Sequence, residues 1–127
     1  MRLFVVRHAE AAPGEPDALR PLTEAGRATA RALAARLAAE GVEIVVSSPL
    51  LRARETAAEI ARAADVPVEV DDRLAPGATP DGVRAAAEGR GETIVAVGHQ
   101  PDCSQIVFAF TGRAARFEPA SFAEVEL

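Results

Sequence analysis

The only two histidines of the chain, His8 and His99, each follow a short run of apolar, strand-forming residues. Imidazole is the side chain whose ordinary pKa lies nearest to neutral pH, so it serves well as a nucleophile or proton carrier. Arg7 directly precedes the first histidine, and a guanidinium can hold an anion beside it. Ligands of open α/β sheets bind outside the carboxyl ends of the strands. The two imidazoles are therefore predicted to share one active site at a sheet edge.

A second arginine, Arg52, lies in the segment Ser47–Thr56, which follows another apolar run. The segment is predicted to begin a helix, and helix N-termini attract anions through their free N–H groups and the helix dipole. Arg54 is expected to face solvent. Taken singly, each motif also fits a structural role, such as a buried, hydrogen-bonded His99 or a capped amphipathic helix with exposed arginines.

The elements that must position these residues alternate between strand and helix. Thr23 is expected to cap the first helix, with Gly41 as its terminator, and Ser48 to cap the second, with Pro49 at its first position. This alternation predicts a three-layer α/β/α fold with a mostly parallel central sheet, in one domain over residues 1–127. Strands are predicted at 2–7, 43–47, 66–70, 93–98 and 121–127, and helices at 23–40, 48–64, 81–88 and 101–112.

Composition excludes several classes of function. The net charge is −5, which argues against nucleic acid or a membrane surface as partner. All 14 basic residues are arginines, so Schiff-base chemistry and the lysine-containing phosphate loop are excluded. No apolar run approaches the roughly 18–20 residues that span a bilayer. With no leader sequence recognised and a single cysteine, the chain is expected to be cytoplasmic.

The single cysteine, Cys103, does not fit nucleophilic phosphatase chemistry. The sixth residue after it is Ala109, whereas a cysteine-phosphatase loop requires arginine there. Cys103 is therefore predicted to be a small buried residue. Two histidines and one cysteine are also a poor set of metal ligands, so neither a metal nor a cofactor is predicted.

Together the motifs resemble the histidine phosphatase superfamily, also called the phosphoglycerate mutase-like family, over nearly the whole chain. Arg7-His8 is similar to its Arg-His motif, Ser48–Ala53 (SPLLRA) to its second phosphate-binding segment, and Gly98-His99 to its second histidine. Leu22–Gly26 (LTEAG) resembles the start of its first long helix. The short chain and Arg20–Thr23 (RPLT) most resemble the bacterial phosphohistidine phosphatases of the SixA type.

This resemblance implies a role for each motif residue. His8 is implied to be the nucleophile that forms a phosphohistidine intermediate, which water then hydrolyses. Arg7, Arg52 and His99 are implied to surround the phosphoryl oxygens, with His99 as a charged donor. A backbone carbonyl is expected to hold the second nitrogen of His8, and no metal is implied.

One departure from the family pattern bears on the substrate. Many members carry a glutamate after the third strand that protonates an ester leaving group, but the corresponding stretch, 71–77, has Pro76 where that acid is expected. Glu10 and Asp72 are candidate proton donors, and either could instead be a solvated carboxylate. A missing acid affects an alkyl phosphate ester most, because an alkoxide is a poor leaving group. The labile P–N bond of phosphohistidine is affected less.

The predicted substrate is therefore a phosphorylated histidine on a signalling or phosphotransfer protein, which the short chain could admit to an open site. A small phosphorylated metabolite remains the alternative, in which the protein is a general phosphomonoesterase; a mutase ranks lower. A non-catalytic phosphate-binding module is a further alternative. The loop over residues 10–21 either contacts substrate through Glu15, Asp17 and Arg20 or is simply solvated.

Overall fold

The computed structural model describes residues 1–127 and arranges them around one five-stranded sheet. The order across the sheet is β3-β2-β4-β1-β5, and every neighbouring pair is parallel except β1 with β5. This confirms the predicted α/β fold with a mostly parallel sheet. The strands are β1 (Arg2–Arg7), β2 (Ile44–Ser47), β3 (Val68–Val70), β4 (Thr93–Gly98) and β5 (Phe122–Glu126). The helices are α1 (Glu24–Ala38), α2 (Leu51–Ala64), α3 (Pro80–Ala87) and α4 (Asp102–Thr111), with short 3-10 turns at Asp17–Leu19 and Asp72–Leu74.

Helices cover both faces of the sheet, so the strands are apolar on both sides, as parallel strands require. Leu3 and Val5 of β1 point into one core, which α3 and α4 cover. Phe4 and Val6 point into the other, which α1 and α2 cover. Full burial of each such side chain contributes roughly 1.5–3 kcal/mol. None of the helices combines the length and apolar composition needed to cross a bilayer.

Strand register brings the chemistry-bearing segments to one edge. β1 pairs with β4 from Arg2 opposite Thr93 to Arg7 opposite Gly98. The backbone hydrogen bonds continue beyond the strands, from His8 N to Gly98 O at 3.1 Å and from Ser48 N to Val97 O at 3.0 Å. The residues that follow β1, β2 and β4 therefore leave the sheet side by side.

The N-terminus of α1 agrees with the prediction, because the Thr23 hydroxyl accepts a hydrogen bond from Gly26 N at 2.9 Å. The helix ends at Ala38, two residues before the predicted Glu40. The predicted N-terminus of α2 is wrong. That helix begins at Leu51, with no side-chain cap, and Ser48 lies before it. The Ser48 hydroxyl is instead fully buried and lies 2.7 Å from a nitrogen of His99.

Two helical glycines allow a matched test of how α1 packs on the segment after β1. Gly26 and Gly82 are each the third residue after a capping threonine. A Cβ at Gly26 would clash with the backbone oxygen of Glu10, whereas at Gly82 the nearest atom is the side-chain hydroxyl of Thr79, at 3.0 Å.

We predict that Gly26→Ala lowers the free energy of unfolding by about 1–3 kcal/mol, because a backbone segment must shift to admit the methyl group. Gly82→Ala is expected to change it by less than about 1 kcal/mol, since alanine's helix propensity offsets the small shift of the Thr79 hydroxyl that the methyl group requires. Urea unfolding measures both. Equal effects of the two substitutions would contradict the packing described here.

Candidate active site

A cavity of about 360 Å³ lies beside the ends of β1 and β4 and brings together the four residues on which the sequence analysis depends, Arg7, His8, Arg52 and His99. The ring centroids of the two histidines are 5.2 Å apart. Arg20 also lines the cavity, which places three guanidinium groups around two imidazoles. Such a surface is suited to a small, multiply charged anion.

His8 is held with one nitrogen bonded and the other free. Its Nδ1 donates a hydrogen bond to the backbone oxygen of Ala9 at 2.7 Å, which identifies the carbonyl that the sequence could not name. Burial lowers the pKa of His8 and outweighs the opposing effect of this bond, and the charges of Arg52 and Arg7 lower it further. At neutral pH the ring is therefore uncharged, with its proton on Nδ1 and a lone pair on Nε2.

Thr56 fixes the segment that carries His8. The backbone N–H of Ala9 donates to Thr56 Oγ1 at 3.0 Å, and the Thr56 hydroxyl donates to the backbone oxygen of Arg52 at 2.9 Å. Ala9 and Thr56 are fully buried. One side chain of α2 thus links the segment that carries His8 to the backbone of Arg52. The sequence analysis did not identify this role of Thr56, which lies one helical turn after Arg52.

The loop between β1 and α1 contributes to the site through Asp17 and Arg20. Arg52 donates to the backbone oxygen of Asp17 at 3.0 Å and to its carboxylate at 3.3 Å. Arg20 donates to the same carboxylate at 3.0 Å, and this bond is the main reason that the pKa of Asp17 is lowered. The Asp17 carboxylate therefore lies between the guanidinium groups of Arg20 and Arg52 and holds both in place beside the cavity. Glu15, the third residue considered for the rim, is exposed and does not line the cavity.

Two buried polar atoms of the cavity residues have no hydrogen-bond partner. One is Arg7 Nε, although Arg7 also donates to the backbone oxygen of Phe117 at 2.8 Å, and the other is His99 Nδ1. The large majority of buried side-chain polar atoms in proteins are hydrogen-bonded. Both unpaired nitrogens belong to residues that line the cavity, so they are candidate donors to an anion bound there.

His99 is nearly fully buried, and its Nε2 lies 2.7 Å from Ser48 Oγ. Burial, together with the proximity of His8 and Arg52, lowers the pKa of His99 to about 4. In the ligand-free site the ring is therefore neutral, which departs from the expected charged donor. The local sequence predicts Ser48 as a helix cap and gives no sign of its contact with His99.

The two candidate proton donors have different positions. Glu10 lines the cavity, and its carboxylate accepts a hydrogen bond from the Thr23 hydroxyl at 2.7 Å. Asp72 does not line the cavity; it begins the 3-10 turn after β3 and lines a separate pocket. Of the two carboxylates, Glu10 is the one at the cavity, and the identity of the proton donor stays a prediction. Pro76 does line the cavity, so a proline stands where the family acid is expected.

Asp102 holds the Pro76 segment in place. Its carboxylate, buried at the start of α4, accepts hydrogen bonds from Gly77 N at 2.8 Å and Ala78 N at 3.2 Å. The sequence analysis did not identify this residue. Its neighbour Cys103 is buried as predicted, and burial raises the pKa of the thiol to about 12. Cys103 is thus protonated at neutral pH and a poor nucleophile.

The sequence matches a family model and a protein from another organism. A family model for the histidine phosphatase superfamily (branch 1) matches residues 3–76. An uncharacterized protein of Picosynechococcus sp. is 37% identical in an alignment 136 residues long. The alignment covers 94% of this chain and 81% of that protein.

Solved structures share the whole fold. The structure of the protein histidine phosphatase SixA complexed with tungstate matches with a TM-score of 0.88 at 31% identity and covers 100% of this chain and 88% of that one. A structure from Agrobacterium tumefaciens, assigned as a phosphohistidine phosphatase of the SixA type, matches with a TM-score of 0.83 at 27% identity, covering 97% and 89% of the two chains.

The buried neutral state of His99 predicts a pH dependence of stability. In the unfolded chain a histidine binds its proton near pH 6.5, but in the folded protein His99 does so only near pH 4. The unfolded state therefore binds more protons between these values, and the fold loses stability as the pH falls from about 6.5 to about 4. Because solvent screens part of the interaction, His99 contributes at most about 3 kcal/mol to this loss.

Urea unfolding at several pH values, compared between wild type and His99→Gln, measures this contribution. His8 and the carboxylates are present in both proteins, so their effects cancel in the comparison. Because only the wild type contains His99, its loss of stability across this window is expected to be steeper. Equal slopes would show that His99 is not held neutral in the folded state.

Proposed function

The chain belongs to the histidine phosphatase superfamily (branch 1), and we propose that it removes the phosphoryl group from phosphohistidine on another protein, with His8 as the nucleophile. The family match and the SixA structures support a hydrolase. The observation that carries the proposal is His8 itself, because its Nδ1 is bonded to Ala9 O and its Nε2 retains a lone pair beside Arg7 and Arg52. We take residues 1–127 as one domain of this family.

In the first step the lone pair of His8 Nε2 attacks phosphorus in line with the leaving group. A P–N bond to His8 forms as the P–N bond to the substrate histidine breaks. The leaving nitrogen takes that bond's electron pair, and the substrate imidazole, already protonated on its other nitrogen, departs as a neutral ring. The lowered pKa of His8 keeps this nucleophile unprotonated at neutral pH. The bond from Nδ1 to Ala9 O fixes the direction of the lone pair.

Arg7, Arg52 and His99 surround the phosphoryl oxygens in this proposal. Charge in the loose transition state is spread over those oxygens, so positioning and electrostatic stabilisation supply most of the catalysis. Arg52 is already oriented by Asp17. Arg7 Nε and His99 Nδ1 have no hydrogen-bond partner within the protein. In the second step water attacks phosphorus, the bond to His8 breaks, and inorganic phosphate leaves.

The substrate class follows from the acids that the cavity offers. The imidazole of a substrate histidine has a conjugate acid of pKa about 6.5, so it leaves readily once protonated. An alkoxide is about as basic as hydroxide, whose conjugate acid water has a pKa of about 15.7, and therefore needs a well-placed acid. With Pro76 at the cavity wall and Asp72 outside it, phosphohistidine is the favoured substrate.

The short connections also support a protein substrate. Between β3 and β4 the chain forms only a 3-10 turn and the eight-residue helix α3, so no long insertion lies over the cavity from that side. A histidine that protrudes from another protein could then reach His8. The alternative substrate, a small phosphate ester, is favoured by one observation: Glu10 lines the cavity, two residues after the nucleophile.

We predict that wild type releases phosphate from a phosphohistidine-bearing protein more efficiently than from a simple alkyl phosphate ester, and that His8→Ala lowers this release by about 10⁴-fold or more. Arg52→Ala is expected to lower kcat/KM by about 10²-fold to 10³-fold. Its matched control is Arg54→Ala on the same helix, which removes an exposed arginine outside the cavity and should have little effect.

Glu10→Gln separates the two substrate classes. It should leave turnover of the phosphohistidine protein nearly unchanged, because that leaving group needs little acid assistance. If wild type prefers the ester and Glu10→Gln abolishes that preference, the protein is a phosphomonoesterase instead. Binding of inorganic phosphate without turnover of either substrate would establish the binding module.

The covalent step predicts a labelled enzyme. Rapid mixing with a substrate that carries labelled phosphate, followed by denaturation in alkali, should leave label on the protein that acid then removes, as expected for a phosphoramidate. Because His8 and His99 are the only histidines, His8→Ala locates the label by itself. Label that persists in His8→Ala would exclude His8 as the nucleophile.

A further inference from the structure

The hydrogen bonds of Ser48 determine which nitrogen of His99 carries the proton. Ser48 Oγ accepts a hydrogen bond from Leu50 N at 3.2 Å and lies 2.7 Å from His99 Nε2. Ser48 is fully buried, so water does not reach its hydroxyl. A serine hydroxyl has one hydrogen to donate, and His99 Nε2 is the one acceptor within reach. The hydroxyl therefore donates to Nε2.

We propose that Ser48 is a positioning residue that holds neutral His99 as the Nδ1–H tautomer and so presents one N–H donor to the phosphoryl group. Nε2 accepts from Ser48, so the single proton of the neutral ring must lie on Nδ1. This nitrogen is buried and has no partner in the protein, and the ring lines the cavity. The tautomer follows from the fold alone, whereas its use in catalysis rests on the proposed function.

Ser48 also opposes the charged form of His99. In an imidazolium both nitrogens carry hydrogens, so Nε2 would donate to Ser48 and the buried hydroxyl hydrogen would have no acceptor. Burial and the charge of Arg52 disfavour the imidazolium as well. His99 thus contributes a hydrogen bond to the phosphoryl oxygens without acting as an acid. His99 therefore does not protonate the leaving group, and the substrate still needs a leaving group that departs without help from this residue.

The second histidine provides an internal reference for the same measurement. His8 donates from Nδ1 to Ala9 O, so both histidines of the chain are predicted to be Nδ1–H tautomers. Long-range proton–nitrogen correlation NMR of the side chains distinguishes a protonated from an unprotonated ring nitrogen. With two imidazoles in the whole chain, the spectrum of His8→Gln assigns both.

The test compares two adjacent, fully buried serines in this spectrum at neutral pH. Ser48→Ala should convert His99 to a mixture of tautomers and lower kcat on a phosphohistidine protein by about 10-fold to 100-fold. Ser48→Thr keeps the hydroxyl and should retain the Nδ1–H tautomer. Ser47→Ala is the matched control: the Ser47 hydroxyl donates to the backbone oxygen of Ser48 and does not contact His99, so the tautomer should not change.

Titration of inorganic phosphate into wild type tests where the donor points. The resonance of His99 Nδ1–H should shift on binding, because phosphate oxygens are the expected acceptors. No shift at saturating phosphate would overturn that part of the proposal.

Other outcomes overturn the tautomer itself. These are a wild-type His99 that is protonated on Nε2 or charged at neutral pH, or an unchanged tautomer in Ser48→Ala. If Ser48→Ala does not fold, the wild-type and Ser48→Thr spectra still decide. A wild type with the expected tautomer but no turnover would contradict the proposed function and leave the tautomer assignment standing.

Discussion

Parallel pairing between β1 and β4 places the two histidines together, since each follows directly on the last residue of its strand, Arg7 opposite Gly98. Neighbouring strands lie about 4.8 Å apart, and the histidine rings are 5.2 Å apart. A slip of one residue would turn Leu3 and Val5 toward the core now filled by Phe4 and Val6. The apolar side chains of both faces thus maintain the register on which the cavity depends.

The cavity has a charge opposite to that of the whole molecule. The chain carries a net charge of −5, yet Arg7, Arg20 and Arg52 line the space around the histidines. Charges that face one cavity at short range outweigh those that solvent and salt screen at the surface. Burial is the main reason that the pKa of His8 is lowered, and the same arginines that suit an anion lower it further. The arginines thus favour both a bound anion and an unprotonated His8.

The sequence predicts those parts of the fold and the site that depend on local patterns. Apolar runs predict the strands, and their ends locate His8 and His99. The contacts that orient the site join segments distant in sequence, such as Asp17 with Arg52 and Ser48 with His99, and no local pattern encodes them. The predicted cap at Ser48 was wrong for this reason, because capping propensity describes the hydroxyl's local options and not a partner 51 residues away.

The protonation of the site limits the chemistry that it can assist. In the ligand-free protein His8 and His99 are both neutral, because burial and nearby arginines lower both pKa values. Of the carboxylates considered as donors, Glu10 lines the cavity, where Thr23 holds it, and Asp72 does not. In the proposed reaction the arginines stabilise charge on the phosphoryl oxygens, but a guanidinium does not release a proton near neutral pH. The site thus favours a bond whose leaving group departs with little protein acid, and the P–N bond of phosphohistidine meets that condition better than an alkyl ester does.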